Sequence, residues 1–360
     1  MNYRHALLLA PEDLGGSGTK VIDIDVRNPI SRIDIKFKTT KASNGMSAGA
    51  PANISAIELV DGSKVLHSLN GHENQALAYY SDPGVIMDHG QHVSTLSEVD
   101  EFRISFGRHL WDEMLAFLPG NFINPQLKIT FDEDVSDTSV SANECEVWAR
   151  IFDEKSVSPI GFLSAIEQYQ YTCGAANSYE NISLPEDREI RQILVRAYQD
   201  GYEPWYQIKE ARLDENTLDR IPFDFTDLET YYRMMKSVWK AIVQQVVLAP
   251  GSGGQTYYLP MTDYNASIAG VGMGGTEELY MTAAAARGGK FQLACTTGVN
   301  IAAIAQGYLP WHCYQFPMGK LNDVDDWYNP AGKKPRLRLR AGTGGTSGTG
   351  EVVIEELYRY

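Results

Sequence analysis

Of 360 residues only four are cysteine, Cys145, Cys173, Cys295 and Cys313, and no two stand in a CxxC spacing. That argues against a zinc ribbon or a disulfide-held scaffold, and reduced, buried thiols are expected instead. Basic residues are also scarce: 31 Lys and Arg face 46 Asp and Glu, a formal charge of −15. A surface of that sign has little means of displacing counterions from a phosphate backbone, so no direct nucleic-acid binding is expected. Long apolar runs are missing as well. Ala6 to Ala10 is shorter than the core of about 7–15 residues that a signal peptide needs. Ala241 to Ala249 and Gly298 to Ala305 are broken by Gln244, Gln245 and Asn300, short of the roughly 20 apolar residues of a membrane span. The reading is a soluble chain without an export signal. With 43% hydrophobic and 11% aromatic residues the chain can fill a core and departs from the disordered class. Its length leaves room for two domains.

What the sequence has in quantity is period-two alternation, the pattern of sheets with one wet face. Val21 to Val26 and Ile33 to Lys38 alternate on either side of an Asn28-Pro29 break. Ile54 to Val60 and Lys64 to Leu69 flank Asp61-Gly62, which tolerates the positive φ of a tight turn and predicts an antiparallel hairpin. Phe102 to Phe106, Leu127 to Phe131 and Cys145 to Ile151 follow, separated by polar loops. So many short strands with few helices suit a sandwich or jelly roll. Residues 156–178 carry a short helix-like stretch and a small-residue exit, which places the joint between halves there. Strands resume at Glu189 to Tyr198, Tyr206 to Arg212 and Ile221 to Phe225. Leu228 to Leu248 reads as helix into strand, with Asp227 as N-cap and Pro250-Gly251 as stop. Phe291 to Thr296, Val299 to Ala305, Leu337 to Arg340 and Val352 to Tyr358 complete a second all-β set.

The halves end alike, which suggests a duplicated β domain. In the first, Trp111 and Asn124-Pro125 precede the alternating Leu127 to Phe131, a polar loop and the strand Cys145 to Ile151. The second repeats this with Trp311, Asn329-Pro330, Leu337 to Arg340 and Val352 to Tyr358. The expected organisation is an amino-terminal arm at 1–15, a first jelly roll at 16–157, a linker at 158–178, and a second jelly roll at 179–360 with an insertion at 226–290.

This arrangement resembles the double jelly-roll major capsid proteins of tailless icosahedral, internal-membrane bacteriophages, the lineage that includes adenovirus hexon. The likeness rests on length, acidic all-β character, the matching ends of the halves and the phrase Ile54 to Leu69 with its Asp61-Gly62 turn. It implies an all-β fold of two eight-stranded jelly rolls in tandem, upright side by side, with short helices in the connecting loops. It further implies a non-enzymatic virion protein that forms homotrimers of pseudo-hexagonal outline, tiling an icosahedral shell. Partners would be neighbouring trimers, vertex (penton) and minor capsid proteins, and an underlying viral membrane, after synthesis and assembly in the host cytoplasm. The insertion at 226–290 makes the second half less tidy than a bare jelly roll. Two other readings stand beside this one: a carbohydrate-active β-sandwich, lectin or glycosidase, and a phage receptor-binding or spike protein.

Candidate chemistry is sparse. Asp88-His89-Gly90-Gln91-His92 could present two imidazoles to one metal ion, although Pro83-Gly84 and Gly90 favour a surface loop. Asn322-Asp323-Val324-Asp325-Asp326 offers oxygen ligands at alternate positions, making Asp323 and Asp325 the calcium candidates, but it lacks the glycine and distal Glu of a helix-loop-helix calcium site. Gly270 to Gly275 lacks the Lys-Ser/Thr of a phosphate loop, and Ser252 sits in a glycine-rich linker. His312 and Cys313, neighbours on an expected strand, would face opposite ways. Asp132-Glu133-Asp134 reads as a solvated turn, whereas a glycosidase needs two facing carboxyls about 5 to 10 Å apart. Tyr202 to Tyr206 could stack sugars or line a subunit interface.

Overall fold

Ile30–Thr40 shows how the alternation becomes a sheet: Ile33, Ile35 and Phe37 are buried, while Asp34 and Lys38 are half-exposed and Lys36 is exposed. The computed structural model describes residues 1–82, 90–136, 142–249, 254–267, 284–293 and 301–360. Its first half contains β1 (Tyr3–Asp13), β2 (Ser17–Asp23), β3 (Ile30–Thr40), β4 (Ile54–Asp61) and β5 (Lys64–Leu69). Helix α1 (Gly71–Ser81) and β6 (Gln91–His92) come next, then β7 (Ser97–Ser105), β8 (Pro125–Asp132) and β9 (Ala142–Phe152). The order β1-β9-β3-β7 makes one antiparallel sheet and β2-β8-β4-β5 the other, with Ile33, Ile57, Ile129 and Val147 packed in one core. Gly62, at φ +61, turns β4 into β5 as the sequence predicts.

The second half runs through β10 (Gly161–Thr172), β11 (Tyr179–Ser183), β12 (Ile190–Tyr198), α2 (Pro204–Gln207), β13 (Ile208–Glu215) and β14 (Arg220–Phe225). Helix α3 (Leu228–Met235) leads to β15 (Ile242–Leu248), β16 (Gln255–Tyr258), β17 (Met261–Ser267), β18 (Ala284–Arg287), β19 (Lys290–Leu293) and β20 (Ile301–Pro310). Strands β21 (Cys313–Pro317), β22 (Arg336–Ala341) and β23 (Thr349–Arg359) close the chain. Again two four-stranded orders face each other, β10-β23-β12-β21 and β11-β22-β13-β14. Once the insertions are set aside, each half places its first, eighth, third and sixth strands in one sheet and its second, seventh, fourth and fifth in the other. That is a double jelly roll.

The copies agree in detail. Register breaks between Leu7 and Leu9 in β1 and between Glu167 and Tyr169 in β10. It breaks between Ile30 and Arg32 in β3 and between Ile190 and Gln192 in β12. It breaks again between Ile54 and Ala56 in β4 and between Ile208 and Glu210 in β13. An isolated bridge ties Ile30 to Phe117 in one copy and Ile190 to Tyr328 in the other. Bulges are specific features of a sheet, so their coincidence supports one unit used twice. Leu127 and Leu337 are true counterparts on β8 and β22, but Trp111 and Trp311 are not: one follows β7 and the other precedes β21.

Three expectations change. Residues 1–15, expected as an arm, hold β1, which pairs with β9 from Tyr3 to Asp13. Residues 158–178, expected as a helix-like linker, are mostly β10, because Gly161 to Ala165 are buried against the first jelly roll. The insertion runs past 290, since β20 belongs to it and the next jelly-roll strand begins at Cys313. Leu228 to Leu248 is helix into strand as read, with the Asp227 carboxylate accepting from the Thr230 amide at 3.2 Å.

In both jelly rolls the insertion lies between the fifth and sixth strands and opens with a helix. The two insertions meet, because β6 of the first joins the sheet β17-β20-β15-β6 of the second. The jelly rolls themselves join at β5 and β10, paired in parallel through Ser68 and Ile166, so that eight strands form one sheet. Phe162 of β10 is fully buried in the core of the first jelly roll, with ring centroids 5.3 Å from Phe117 and 5.9 Å from Phe106. Phe162→Ala is therefore expected to cost about 3–5 kcal/mol in urea unfolding and to separate the transitions of the halves. A loss below about 1 kcal/mol with a single transition would contradict this packing.

Candidate functional site

Helix α1 lies over the outer face of the β10-β23-β12-β21 sheet and buries a layer of charge. Its start is fixed by a reciprocal cap: the Asn70 side chain accepts from the Glu73 amide at 3.0 Å, and the Glu73 carboxylate accepts from the Asn70 amide at 3.0 Å. This brings Glu73 to Glu167 of β10 and Glu351 of β23, with carboxylate oxygens within 4.8 Å of one another. Arg196 of β12 donates to both oxygens of Glu351 at 2.7 and 2.9 Å and to the Trp311 carbonyl at 3.0 Å. At the far end of α1, Arg191 and Gln192 each donate to Glu355 at 2.6 Å and reach the Ser81 hydroxyl, while the Tyr80 hydroxyl donates to the Cys313 carbonyl at 2.7 Å.

Burial, then Glu167 and Glu351, holds the Glu73 carboxyl well above its ordinary range. Burial and Glu351 also raise Glu167, which hydrogen-bonds Glu73. Burial works against the Arg196 charge, but Glu351 outweighs it. The three carboxylates are the residues here able to hold a cation, and the upward shifts of Glu73 and Glu167 favour the protonated form, which reduces the same charge. Beside them lies a cavity of about 280 Å³, bordered by His72, Trp311 and His312. His312 is lowered to about 3 by burial and Arg196, so it is neutral at physiological pH. Trp311 and His312 adopt φ of +47 and +68, a left-handed turn held by the Thr262 hydroxyl accepting from the His312 amide at 2.8 Å. This turn places His312 before β21 and not on it.

The sequence-derived candidates do not gather there. Asp88 and His89 lie outside the described residues; His92 is fully buried, 3.3 Å from Glu98, whose other oxygen is 2.8 Å from Lys41. Glu98 falls to about 2 because Lys41 and His92 overcome the opposing effect of burial. Asp323 and Asp325 are exposed at a short turn, and among the described residues they join no group of three possible ligands. Asp132 and Asp134 are exposed, with the Asp134 amide donating to Asp132 at 3.2 Å, which is a solvated turn. Gly270 to Gly275 and Ser252 lie outside the described residues. Tyr202 and Tyr206 flank Arg287, and Trp205 stacks on Tyr232 at 5.5 Å, so these aromatics are engaged within the chain. Glu73 was not singled out in the sequence, although Asn70-x-x-Glu73 is a legible helix start.

Edge strands of the jelly-roll sheets carry exposed apolar residues. Strand β1 carries Leu7 at 47% exposure, and β14 carries Ile221 at 43%. Behind β14 opens an aromatic groove of about 570 Å³, bordered by Phe223, Phe225, Phe316, Met318 and Tyr328.

No protein-family model matches the sequence, and no curated protein does. Solved structures resemble it over nearly its whole length. The major capsid protein of bacteriophage PM2 is 10% identical with a TM-score of 0.57, over 99% of this chain and 98% of that one. The VP54 capsid chain of PBCV-1, fitted into a reconstruction of the virophage Sputnik, is 9% identical with a TM-score of 0.59, over 99% and 94%. A chain from the atomic structure of Sulfolobus turreted icosahedral virus is 9% identical with a TM-score of 0.58, over 100% and 91%. At such identity the likeness is one of fold, and the fold is the double jelly roll.

Because burial and the neighbouring carboxylates raise the Glu73 carboxyl, its share of stability is full below the ordinary carboxylate range and is lost as pH rises through its folded value. Glu98 works in the opposite sense, its share being lost as pH falls toward about 2. Glu73→Gln keeps the cap and cannot ionise, so its melting temperature should exceed the parent's increasingly as pH rises above the ordinary carboxylate range. Parallel melting curves across that range would contradict the buried, protonated cluster.

Proposed function

We propose that the chain is a major capsid subunit that acts by self-association and performs no chemistry. The observation that carries this reading is the pair of jelly rolls with one strand order, matched along the whole chain by solved capsid proteins. A subunit with two similar lobes approximates six-fold packing when three copies close around an axis. The functional unit in this reading is a homotrimer of pseudo-hexagonal outline that tiles an icosahedral shell in the virion. Its partners are neighbouring trimers, vertex and minor capsid proteins and an underlying membrane, and it is made in the host cytoplasm. The lectin, glycosidase and spike readings gain nothing from the aromatic cluster, which packs internally.

Light scattering on the purified protein should give three times the chain mass of 40.0 kDa. A monomer at micromolar concentration in near-physiological buffer would overturn the proposal. Copies carrying −15 each repel one another, and at physiological salt that repulsion is screened over about 8 Å. Scattering from assembled shells or sheets should therefore rise with salt, and a flat titration would contradict the charge argument. If calcium alone promotes assembly, Asp323 and Asp325 are the residues proposed to take it.

A further inference from the structure

Because the chain uses one jelly roll twice, a residue on the outer face of the second has a counterpart in the first that shows what the fold alone requires. Ile33 pairs with Ala149 in one copy as Ile193 pairs with Ile354 in the other, both just past the bulge they share. Counting along the strands from there, Arg196 and Glu351 correspond to Lys36 and Glu146. Those two also form an ion pair, with Lys36 Nζ 3.4 Å from Glu146 and Lys36 exposed. One cation facing one carboxylate is therefore the ordinary equipment of this face.

The second copy adds two carboxylates to that pair. Ala6 faces Ala149 as Ile166 faces Ile354, so the counterpart of Glu167 is Leu7, and in both strands the bulge follows at once. Helix α3 opens the second insertion as α1 opens the first, and three residues past its N-cap it carries Thr230 where α1 carries Glu73. When ionised, Glu73, Glu167 and Glu351 set three negative charges against the single guanidinium of Arg196. Glu73 shows the deficit most plainly: one of its oxygens accepts from the Asn70 amide, while Oε1 is buried and receives no hydrogen bond. Its contact with Glu167 joins two acceptors, and carboxylates meet in this way only with a proton or a cation between them.

We propose that Glu73, Glu167 and Glu351 form a binding site for one calcium-sized divalent cation, which fastens α1 to β10 and β23. Oxygens of all three lie within 4.8 Å of one another, a spacing that lets one ion reach each of them at calcium–oxygen distances of about 2.3–2.6 Å. A donor set made only of carboxylate oxygens suits a hard cation. Two positive charges cancel the two that Arg196 leaves uncompensated. Glu167 is half-buried and gives the ion a way in from solvent. From the other side the cavity of about 280 Å³ borders Asn70 and Glu351, with room for the waters that complete the coordination shell. The site lies within one chain, so it goes beyond the capsid reading and holds whether or not copies assemble. It is also separate from the exposed turn of Asp323 and Asp325.

The test is calorimetric titration of calcium into the purified full chain, stripped with a chelator and held at mildly alkaline pH so that protons do not compete. Glu73→Gln, Glu167→Gln, Glu146→Gln and the double variant Asp323→Asn with Asp325→Asn are titrated beside it. Glu73→Gln keeps the helix cap and Glu167 is half-buried, so both variants should fold, and circular dichroism checks that they do. The expected result is calcium binding by the parent that is weakened about tenfold or more in each of Glu73→Gln and Glu167→Gln. Glu146→Gln, on the uncovered counterpart, and the double variant should bind as the parent does. Calcium should also raise the melting temperature of the parent and leave that of Glu73→Gln unmoved. A folded parent that binds no calcium at about 1 mM would overturn the site and leave a proton as the charge that joins Glu73 to Glu167. Binding that persists in both Glu variants and disappears in the double variant would overturn it in favour of the exposed turn.

Discussion

A jelly roll is a sandwich with open edges, and the structure depends on how those edges are closed. The sheet β2-β8-β4-β5 ends on β5, and β10 of the other jelly roll completes it. The closure is apolar before it is hydrogen-bonded: Ser68 and Ile166 make the one ladder pair between these strands, while Phe162 is buried among Phe106, Phe117 and Tyr358. Full burial of such a side chain is worth about 1.5–3 kcal/mol, comparable with several net hydrogen bonds. The two jelly rolls therefore share a core contact as well as a covalent connection. The orientation it sets decides which edges remain for other molecules.

A second closure follows from the first. With the sheets joined, α1 reaches across and covers the face of the β10-β23-β12-β21 sheet that would otherwise be wet. The residues on that face, Arg191, Gln192, Arg196, Glu351 and Glu355, are what an exposed sheet would carry, and here they are buried. Buried charge is costly unless paired, which is why Arg196 grips Glu351 with two hydrogen bonds and Arg191 meets Glu355. Among the described residues Glu73 and Glu167 face Glu351 with no cation of their own in an ion pair, and both carboxyls rise accordingly. The insertions between the fifth and sixth strands then pack over α1, with Tyr79 and Tyr80 joining Val246, Leu259 and Met261 in a third core.

Much of this was legible in the sequence because strand alternation is a local signal. The hairpin at Asp61-Gly62, the capped helix after Asp227 and the correspondence of Leu127 with Leu337 each rest on a few adjacent residues. What escaped was non-local. β10 read as a linker because Gly161 to Ala165 are buried on both faces and lose the alternating signature. β1 read as an arm because its outward face is bare in the single chain, and Leu7 gives no sign of which strand pairs with it. The Glu73, Glu167 and Glu351 cluster draws one residue from a helix and two from separate strands, so no spacing in the sequence announces it. Asp323 and Asp325 are the opposite case, close in sequence and exposed on a turn, so the sequence alone displays them.

The central claim is that the chain is one jelly roll used twice, joined through β5 and β10, the form a subunit needs to approximate six-fold packing as a trimer. A three-dimensional reconstruction of the purified oligomer by electron cryomicroscopy tests it most directly. The account predicts a three-fold particle with six similar lobes, two from each chain. A monomeric particle, or a reconstruction in which the copies meet through a two-fold axis, would contradict it.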